Sequence, residues 1–223
     1  MFSLVRQPCS ATAIDRNGRQ FTCYTTGMPR NTFDESFFKR FYASAPVHSR
    51  RKIETLATAV HNMCAWWDVS ISTVLDVGAG RGYWRDWYAS HHRRVMVRSI
   101  DVSEHACAKY HHELRDISTW RPNRGFDLVV CQSVLQYLPN KSAEVAIQHL
   151  ACATKQVMYL EVPTSSDLKY VVDRQSTDFD IYSRTGEWYR KRLLKYFVHA
   201  GAGLWIAKTS GIALYEFERG GER

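Results

Sequence analysis

The sequence predicts an α/β fold: a doubly wound, mostly parallel sheet of seven strands that closes on an antiparallel hairpin, preceded by an N-terminal helical arm. Three observations predict it. From residue 73 onward, short apolar runs alternate with helix-patterned segments, the arrangement of a parallel sheet covered on both faces. The last two runs are separated only by Thr209-Ser210-Gly211-Ile212, too short for a crossover helix, so they read as an antiparallel pair. A glycine cluster directly follows the first run, where an open α/β sheet turns from strand into helix.

Residues 1–31 carry few periodic apolar positions and several turn formers, and read as an irregular arm. Helix signals begin at Thr32-Phe33-Asp34-Glu35, a capping-box pattern ahead of Phe37, Phe38 and Phe41, and Pro46 interrupts them. Ile53, Leu56, Ala57, Val60, Met63, Cys64 and Trp67 then recur at spacings of three and four, the stripe of an amphipathic helix. Strand candidates follow at 73–77, 95–100, 113–115, 128–131, 157–160, 204–208 and 213–217. Helix-patterned segments lie between them at 83–90, 103–110 and 142–153, with Ser103 and Ser142 as N-caps. The link from Asp116 to Asp127 is short for a crossover helix. Trp188, Leu193, Leu194 and Phe197 mark another amphipathic helix over 187–197, its arginines on the solvated face. The expected organisation is an arm and cap helix over 1–50, a main domain over 51–223, and an insertion at about 165–184.

At 223 residues, 45% hydrophobic and 23% charged, the chain suits one globular domain, which at this size buries roughly 70% of its unfolded surface. No apolar run approaches the 18 or so residues of a membrane span, and the N-terminus lacks the apolar core of a signal peptide. Six scattered cysteines without a CxxC pair fit neither a zinc site nor a secreted disulfide framework. A soluble, cytoplasmic chain is therefore expected. The net charge of +8 is spread over local clusters at Arg50-Arg51-Lys52, His91-His92-Arg93-Arg94 and Arg190-Lys191-Arg192. None is interleaved with a nucleic-acid-binding signature, so the charge alone names no partner. The adjacent pairs His91-His92 and His111-His112 read as surface residues whose side chains diverge, and no metal site is expected.

The strongest signal is Val74-Leu75-Asp76-Val77-Gly78-Ala79-Gly80-Arg81-Gly82-Tyr83. Glycines at the end of a first strand let the backbone turn tightly and approach a ligand. A dinucleotide fingerprint, GxGxxG, would place its third glycine where this chain has Tyr83; the pattern here is GxGxG. Asp76, two residues before the first glycine, would face a pyrophosphate, and like charges at ~4 Å repel by about 4 kcal/mol at an intermediate dielectric. S-adenosylmethionine has no phosphate and carries a sulfonium and an ammonium, which a carboxylate favours.

With these residues the chain resembles the class I S-adenosylmethionine-dependent methyltransferases over roughly residues 50–217. Asp76 to Gly82 is similar to the family's first motif, which cradles the amino-acid part of the cofactor. Asp101 and Val102, in Ser99-Ile100-Asp101-Val102-Ser103, resemble the second; Asp101 lies nineteen residues after Gly82, a suitable reach for the ribose hydroxyls. Asp116-Ile117 resembles the third, where an acid meets the adenine amino group and its neighbour packs on the ring. Phe126-Asp127-Leu128-Val129-Val130-Cys131-Gln132 and the residues through Pro139 resemble the fourth. The resemblance implies a Rossmann-like fold and a cofactor site of Asp76, Gly78, Gly80, Gly82, Asp101, Val102, Asp116, Ile117 and Gln132, with S-adenosylhomocysteine as product. As isolated residues, Asp101 and Asp116 read equally as caps after strands, and Asp127 as a strand-start residue.

Methyl transfer is an in-line displacement for which the cofactor supplies the reactivity and the protein much of the alignment. Some members of the family use a side chain to take a proton from an oxygen acceptor. Candidates here are Tyr42, His48, Glu161, Tyr170 and His199, with Glu161 first because it follows a strand at the carboxyl edge of the sheet. Nucleic-acid amino-methylating members carry (N/D)PP(Y/F) after the fourth strand; Cys131-Gln132-Ser133-Val134 instead resembles small-molecule members. The expected acceptor is a small or medium organic molecule, and the basic composition suits an anionic one. Phe37, Phe38, Phe41, Tyr42, Tyr170, Phe179 and Tyr182 are candidate pocket rings, or simply the packing face of the arm. An RNA methyltransferase and a non-catalytic cofactor-binding scaffold stay open as alternatives. The sequence does not fix an oligomeric state.

Overall fold

The structure, a computed structural model, describes residues 11–14, 20–23, 33–42, 49–174 and 176–220. Strands β1 (Ala11–Ile14) and β2 (Gln20–Cys23) pair antiparallel, so the segment expected to be irregular contains a hairpin. Helix α1 (Glu35–Tyr42) starts at Asp34, whose Oδ1 accepts from the Phe37 amide at 3.0 Å and from Ser36 Oγ at 2.6 Å. Thr32, Pro46 and His48 lie outside the described residues.

Helix α2 (Arg50–Trp66) buries the stripe Ile53, Ala57, Val60 and Cys64. Then follow β3 (Thr73–Val77), α3 (Tyr83–His91), β4 (Met96–Asp101), α4 (Glu104–Tyr110) and β5 (Glu113–Leu114). After a turn without a helix come β6 (Phe126–Gln132), a 3₁₀ turn (Leu135–Tyr137), α5 (Asn140–Ala153), β7 (Thr154–Glu161) and the short α6 (Ser165–Tyr170). Helix α7 (Gly186–Leu193) precedes β8 (Phe197–Gly201) and β9 (Leu204–Ala207). The seven strands β3–β9 lie in the order β5-β4-β3-β6-β7-β9-β8, with β3–β7 parallel and β9 and β8 antiparallel.

Alternation along the central strands builds two cores. Val74 of β3 and Leu128 and Val130 of β6 face α2 and α3, while Leu75, Val77, Val129 and Cys131 face α5 and α7. Each fully buried aliphatic side chain contributes roughly 1.5–3 kcal/mol. The chain runs outward from β3 to β4 and β5, then returns to β6 on the other side of β3. That reversal leaves a crevice at the carboxyl ends of β3, β4 and β6, where open α/β sheets bind ligands.

Three expectations are corrected. The antiparallel hairpin is β8–β9, turning through Ala202 and Gly203 at φ +47° and +79°, as a two-residue turn with both residues left-handed requires. Residues 213–217 are not a strand, because the alternation there buries only Leu214 and leaves Tyr215 and Phe217 exposed. Helix α7 accordingly stops at Leu193, and Phe197, read as the end of its stripe, begins the edge strand instead. Helix α5 starts at Asn140 behind Pro139, whose fixed φ suits the entry, not at Ser142. Ser103 caps α4 as expected, accepting from the Ala106 amide at 3.0 Å. Asp127 ties the start of β6 to β3, accepting from the Ser72 and Thr73 amides.

Candidate active site

The crevice begins where β3 ends. The amides of Gly78 and Ala79 both donate to the Ile100 carbonyl of β4, at 2.9 and 3.1 Å, folding the loop back over the neighbouring strand. The Gly80 amide donates to Asp101 Oδ2 at 2.8 Å. Gly78 has φ +69°, and a Cβ there would lie 2.2 Å from Val134 Cγ2, so only glycine fits against the β6 turn. Gly80 has φ +54°, yet the nearest atoms to a Cβ are 3.9 Å away, one of them on the Phe38 ring. Its bare face therefore opens into the crevice. Gly82 starts α3.

A cavity of about 440 Å³ occupies the crevice. Gly78, Gly80, Asp101, Val102, Asp116 and Ile117 line it, so six of the nine sequence-predicted cofactor residues meet there. Asp76 and Gln132 line a smaller recess of about 40 Å³ that shares Tyr42, Gly78, Gly80 and Ser133 with the cavity. Gly82 lines neither. Each of the two acids both bonds a nearby amide and lines the cavity: Asp101 Oδ1 accepts from the Ser103 amide and Asp116 Oδ1 from the Ser118 amide, each at 2.8 Å.

Two buried carboxylates interact across this boundary, Asp76 on the recess wall and Asp101 on the cavity wall. Asp76 is 2% exposed and its Oδ2 has no hydrogen-bond partner. Burial, then the charge of Asp101, pushes its carboxyl up to about 7. Burial also raises Asp101, against the opposing amides of Ser103 and Gly80. Such a pair calls for a cation or for hydroxyl donors. Across the recess the Arg81 guanidinium lies 5.8 Å from the Tyr42 ring, and its buried Nε has no partner.

Helix α1 roofs the cavity. Phe33, Phe37, Phe38 and Tyr42 line it, and Phe33 stacks edge-on against Tyr137 at 4.9 Å. Burial and the Asp101 charge push the Tyr42 hydroxyl up to about 12, which keeps it a donor at neutral pH. Of the proton-acceptor candidates, Tyr42 alone among the described residues touches both spaces. Tyr170 is exposed, and His199 lies in the edge strand stacked 4.4 Å from Trp205. Glu161 is placed one layer behind the recess, accepting from Gln132 Nε2, Ser133 Oγ and Tyr159 OH at 3.1–3.2 Å. Gln132 in turn accepts from Trp84 Nε1 at 3.1 Å. Tyr170, Phe179 and Tyr182 of the insertion are not part of the cavity wall.

Sequence reasoning missed Trp120, Val134, Tyr137 and Leu138 in the cavity wall. All lie within or just beyond the third and fourth motifs, so proximity was the available signal. It also misread His112, which is buried against the glycine loop while His111 is exposed. Arg184 had no signal at all: its buried guanidinium donates to the Leu135 and Leu138 carbonyls, Asn140 Oδ1 and Tyr189 OH, fastening the end of the insertion to the 3₁₀ turn. Among the described residues, no three His, Cys, Asp or Glu side chains gather as a metal would need, and no helix is long and apolar enough to cross a membrane.

Comparison with known proteins agrees with this fold. The chain is similar in structure to magnesium protoporphyrin IX methyltransferase from Synechocystis PCC 6803 with bound S-adenosylmethionine, at 16% identity and TM-score 0.54, over 80% of this chain and 95% of that one. It is similar to an amino pentose methyltransferase from Micromonospora echinaspora, at 15% identity and TM-score 0.51, over 69% and 90%. A plantazolicin methyltransferase aligns at 15% identity and TM-score 0.54, over 72% and 66%. At these identities the likeness is one of fold. No curated protein matches the chain. The family model described as "Methyltransferase domain" matches residues 47–205. The chain belongs to the methyltransferase-domain family.

Proposed function

We propose that the protein transfers a methyl group from S-adenosylmethionine to an oxygen or nitrogen of a small or medium organic acceptor. The observation that carries the reading is Asp76 Oδ2, a buried carboxylate oxygen without a partner, in a residue that lines the recess and feels the charge of a second buried acid. An ammonium satisfies it, and the open face of Gly80 leaves room for the adjoining chain. Arg81 offers a cation for the matching carboxylate, so the recess suits a zwitterionic amino-acid tail. Asp101 would hold the ribose hydroxyls, and Asp116, Ile117 and Val102 the adenine. The cofactor, when bound, supplies an electrophilic methyl on sulfur.

The rest of the chemistry is alignment. The α1 rings exclude water from the cavity, and good orientation alone lowers a barrier by ~7–11 kcal/mol. Tyr42, a hydroxyl donor touching both spaces, would orient a polar group at their junction. Glu161 acts through Gln132 and Ser133, holding them at the recess, and is a positioning residue in this account. In the same reading residues 51–223 bind the donor, residues 1–50 form the cover, and the insertion at 165–184 borders the acceptor's approach. The neighbours' names, which include magnesium protoporphyrin IX, an amino pentose and plantazolicin, support organic acceptors as the class. Incubating the protein with methyl-labelled S-adenosylmethionine and a size-fractionated cell extract tests this. Label in a product below about 2 kDa is expected; label appearing only in the RNA fraction would replace the reading with the nucleic-acid one.

A further inference from the structure

Helix α4 ends at His111, whose left-handed backbone (φ +60°) reverses the chain and sends the next side chain inward. His112 is consequently 8% exposed, wedged between β4 and the glycine loop. Its Nε2 lies 3.0 Å from the Gly80 carbonyl and its Nδ1 2.8 Å from Ser99 Oγ. A carbonyl only accepts, so Nε2 carries the proton and, in the neutral ring, Nδ1 accepts from the serine hydroxyl. The groups facing the ring are Ser99, Tyr110, Asp101, Arg85 and Asp86. Burial favours the neutral form over the pull of the two acids.

The Gly80 residue is thereby held at both ends: its N–H by Asp101 Oδ2 at 2.8 Å, its C=O by His112. Gly80 is also the one loop glycine whose bare face opens into the cavity. We propose that His112 is a positioning residue for the methyl donor, the Nε2–H tautomer clamping the glycine loop in its binding shape. The proposal rests on the methyl-donor reading of the crevice.

Calorimetric titration with S-adenosylhomocysteine, with thermal unfolding as a control, tests it in wild type, His112→Leu, His112→Gln and Ser99→Ala. His112→Leu is expected to raise Kd tenfold or more. His112→Gln, whose amide N–H can reach the same carbonyl, should come within about threefold of wild type. Ser99→Ala should weaken binding severalfold by freeing the tautomer. At saturating donor the turnover of each folded variant should change far less than its donor KM. Folded His112→Leu binding as wild type does, or His112→Gln binding no better than His112→Leu, overturns the proposal. If His112→Leu does not fold, unaltered binding by Ser99→Ala overturns it, as does a ¹⁵N imidazole spectrum with the proton on Nδ1. Wild type that fails to bind S-adenosylhomocysteine refutes the donor reading itself, and the clamp with it.

Discussion

Replacing Asp76 by asparagine perturbs the crevice where its electrostatics are most extreme. The Asp76 carboxyl titrates at about 7 in the free protein instead of 3.8, because burial and Asp101 oppose its charge. That difference corresponds to about 4 kcal/mol. A carboxyl whose folded value lies above its unfolded one favours the fold while protonated. Its contribution is therefore whole below about pH 4 and is lost as pH rises through about 7. At pH 8 Asp76→Asn relieves this penalty, less about 1–3 kcal/mol for desolvating its own amide. A net gain of about 1–3 kcal/mol should raise the melting temperature of the free protein by roughly 2–12 °C. The same change should weaken S-adenosylhomocysteine binding by about 1.5–3 kcal/mol, a ten- to hundredfold loss, because the ammonium loses its carboxylate. In wild type, affinity should fall about tenfold per pH unit below 7, since binding selects the ionised carboxylate. In Asp76→Asn that slope should vanish. Melting curves and titration calorimetry from pH 5 to 8 measure both effects. Unchanged affinity in the variant, or the same pH slope as wild type, would refute the assignment of Asp76 to the donor's ammonium.

Substitutions at three further positions separate the roles. Gly80→Val should abolish donor binding by filling the cavity, and the left-handed backbone of Gly80 should cost it about 1–3 kcal/mol of stability; titration and thermal melts would show both, and Gly80→Ala should give milder forms of each. Glu161→Gln should lower turnover less than tenfold without removing a limb of the pH–rate profile, whereas a general base would lose about 10²–10⁴-fold. Arg184→Leu leaves the Leu135 and Leu138 carbonyls without their charged donor and should destabilise the fold by roughly 2–4 kcal/mol, with proteolysis moving first to residues 165–184.

The parallel part of the sheet was legible because its strands are buried on both faces and read as continuous apolar runs. Leu128 to Cys131 and Val157 to Leu160 needed no partner to be recognised. The closing hairpin was not, because an edge strand buries one face only. Phe197 fits a helical stripe as well as a strand, and Gly201-Ala202-Gly203 marks its turn only once the pairing is known. The cofactor residues were legible because motifs fix backbone positions: glycines at positive φ and acids at strand ends. What supports those residues was not, because support comes from distant segments. His112 and Arg184 are ordinary polar letters in the sequence, and only the turn at His111 and the return of the insertion bring them inside. The same limit applies to proton acceptors. Strand-end position favoured Glu161, whereas the approach of α1, thirty residues before the sheet, puts Tyr42 on the cavity wall.

The crevice is expected to bind a nucleoside with an amino-acid tail and not a dinucleotide. Thermal unfolding of the wild-type protein with S-adenosylhomocysteine, and separately with NAD, tests it most directly. A ligand at a hundred times its dissociation constant stabilises by ~2.7 kcal/mol, which for a chain of this size is a rise of roughly 5–10 °C. That rise is expected with S-adenosylhomocysteine and none with NAD. A rise with NAD alone, or with neither, would contradict it.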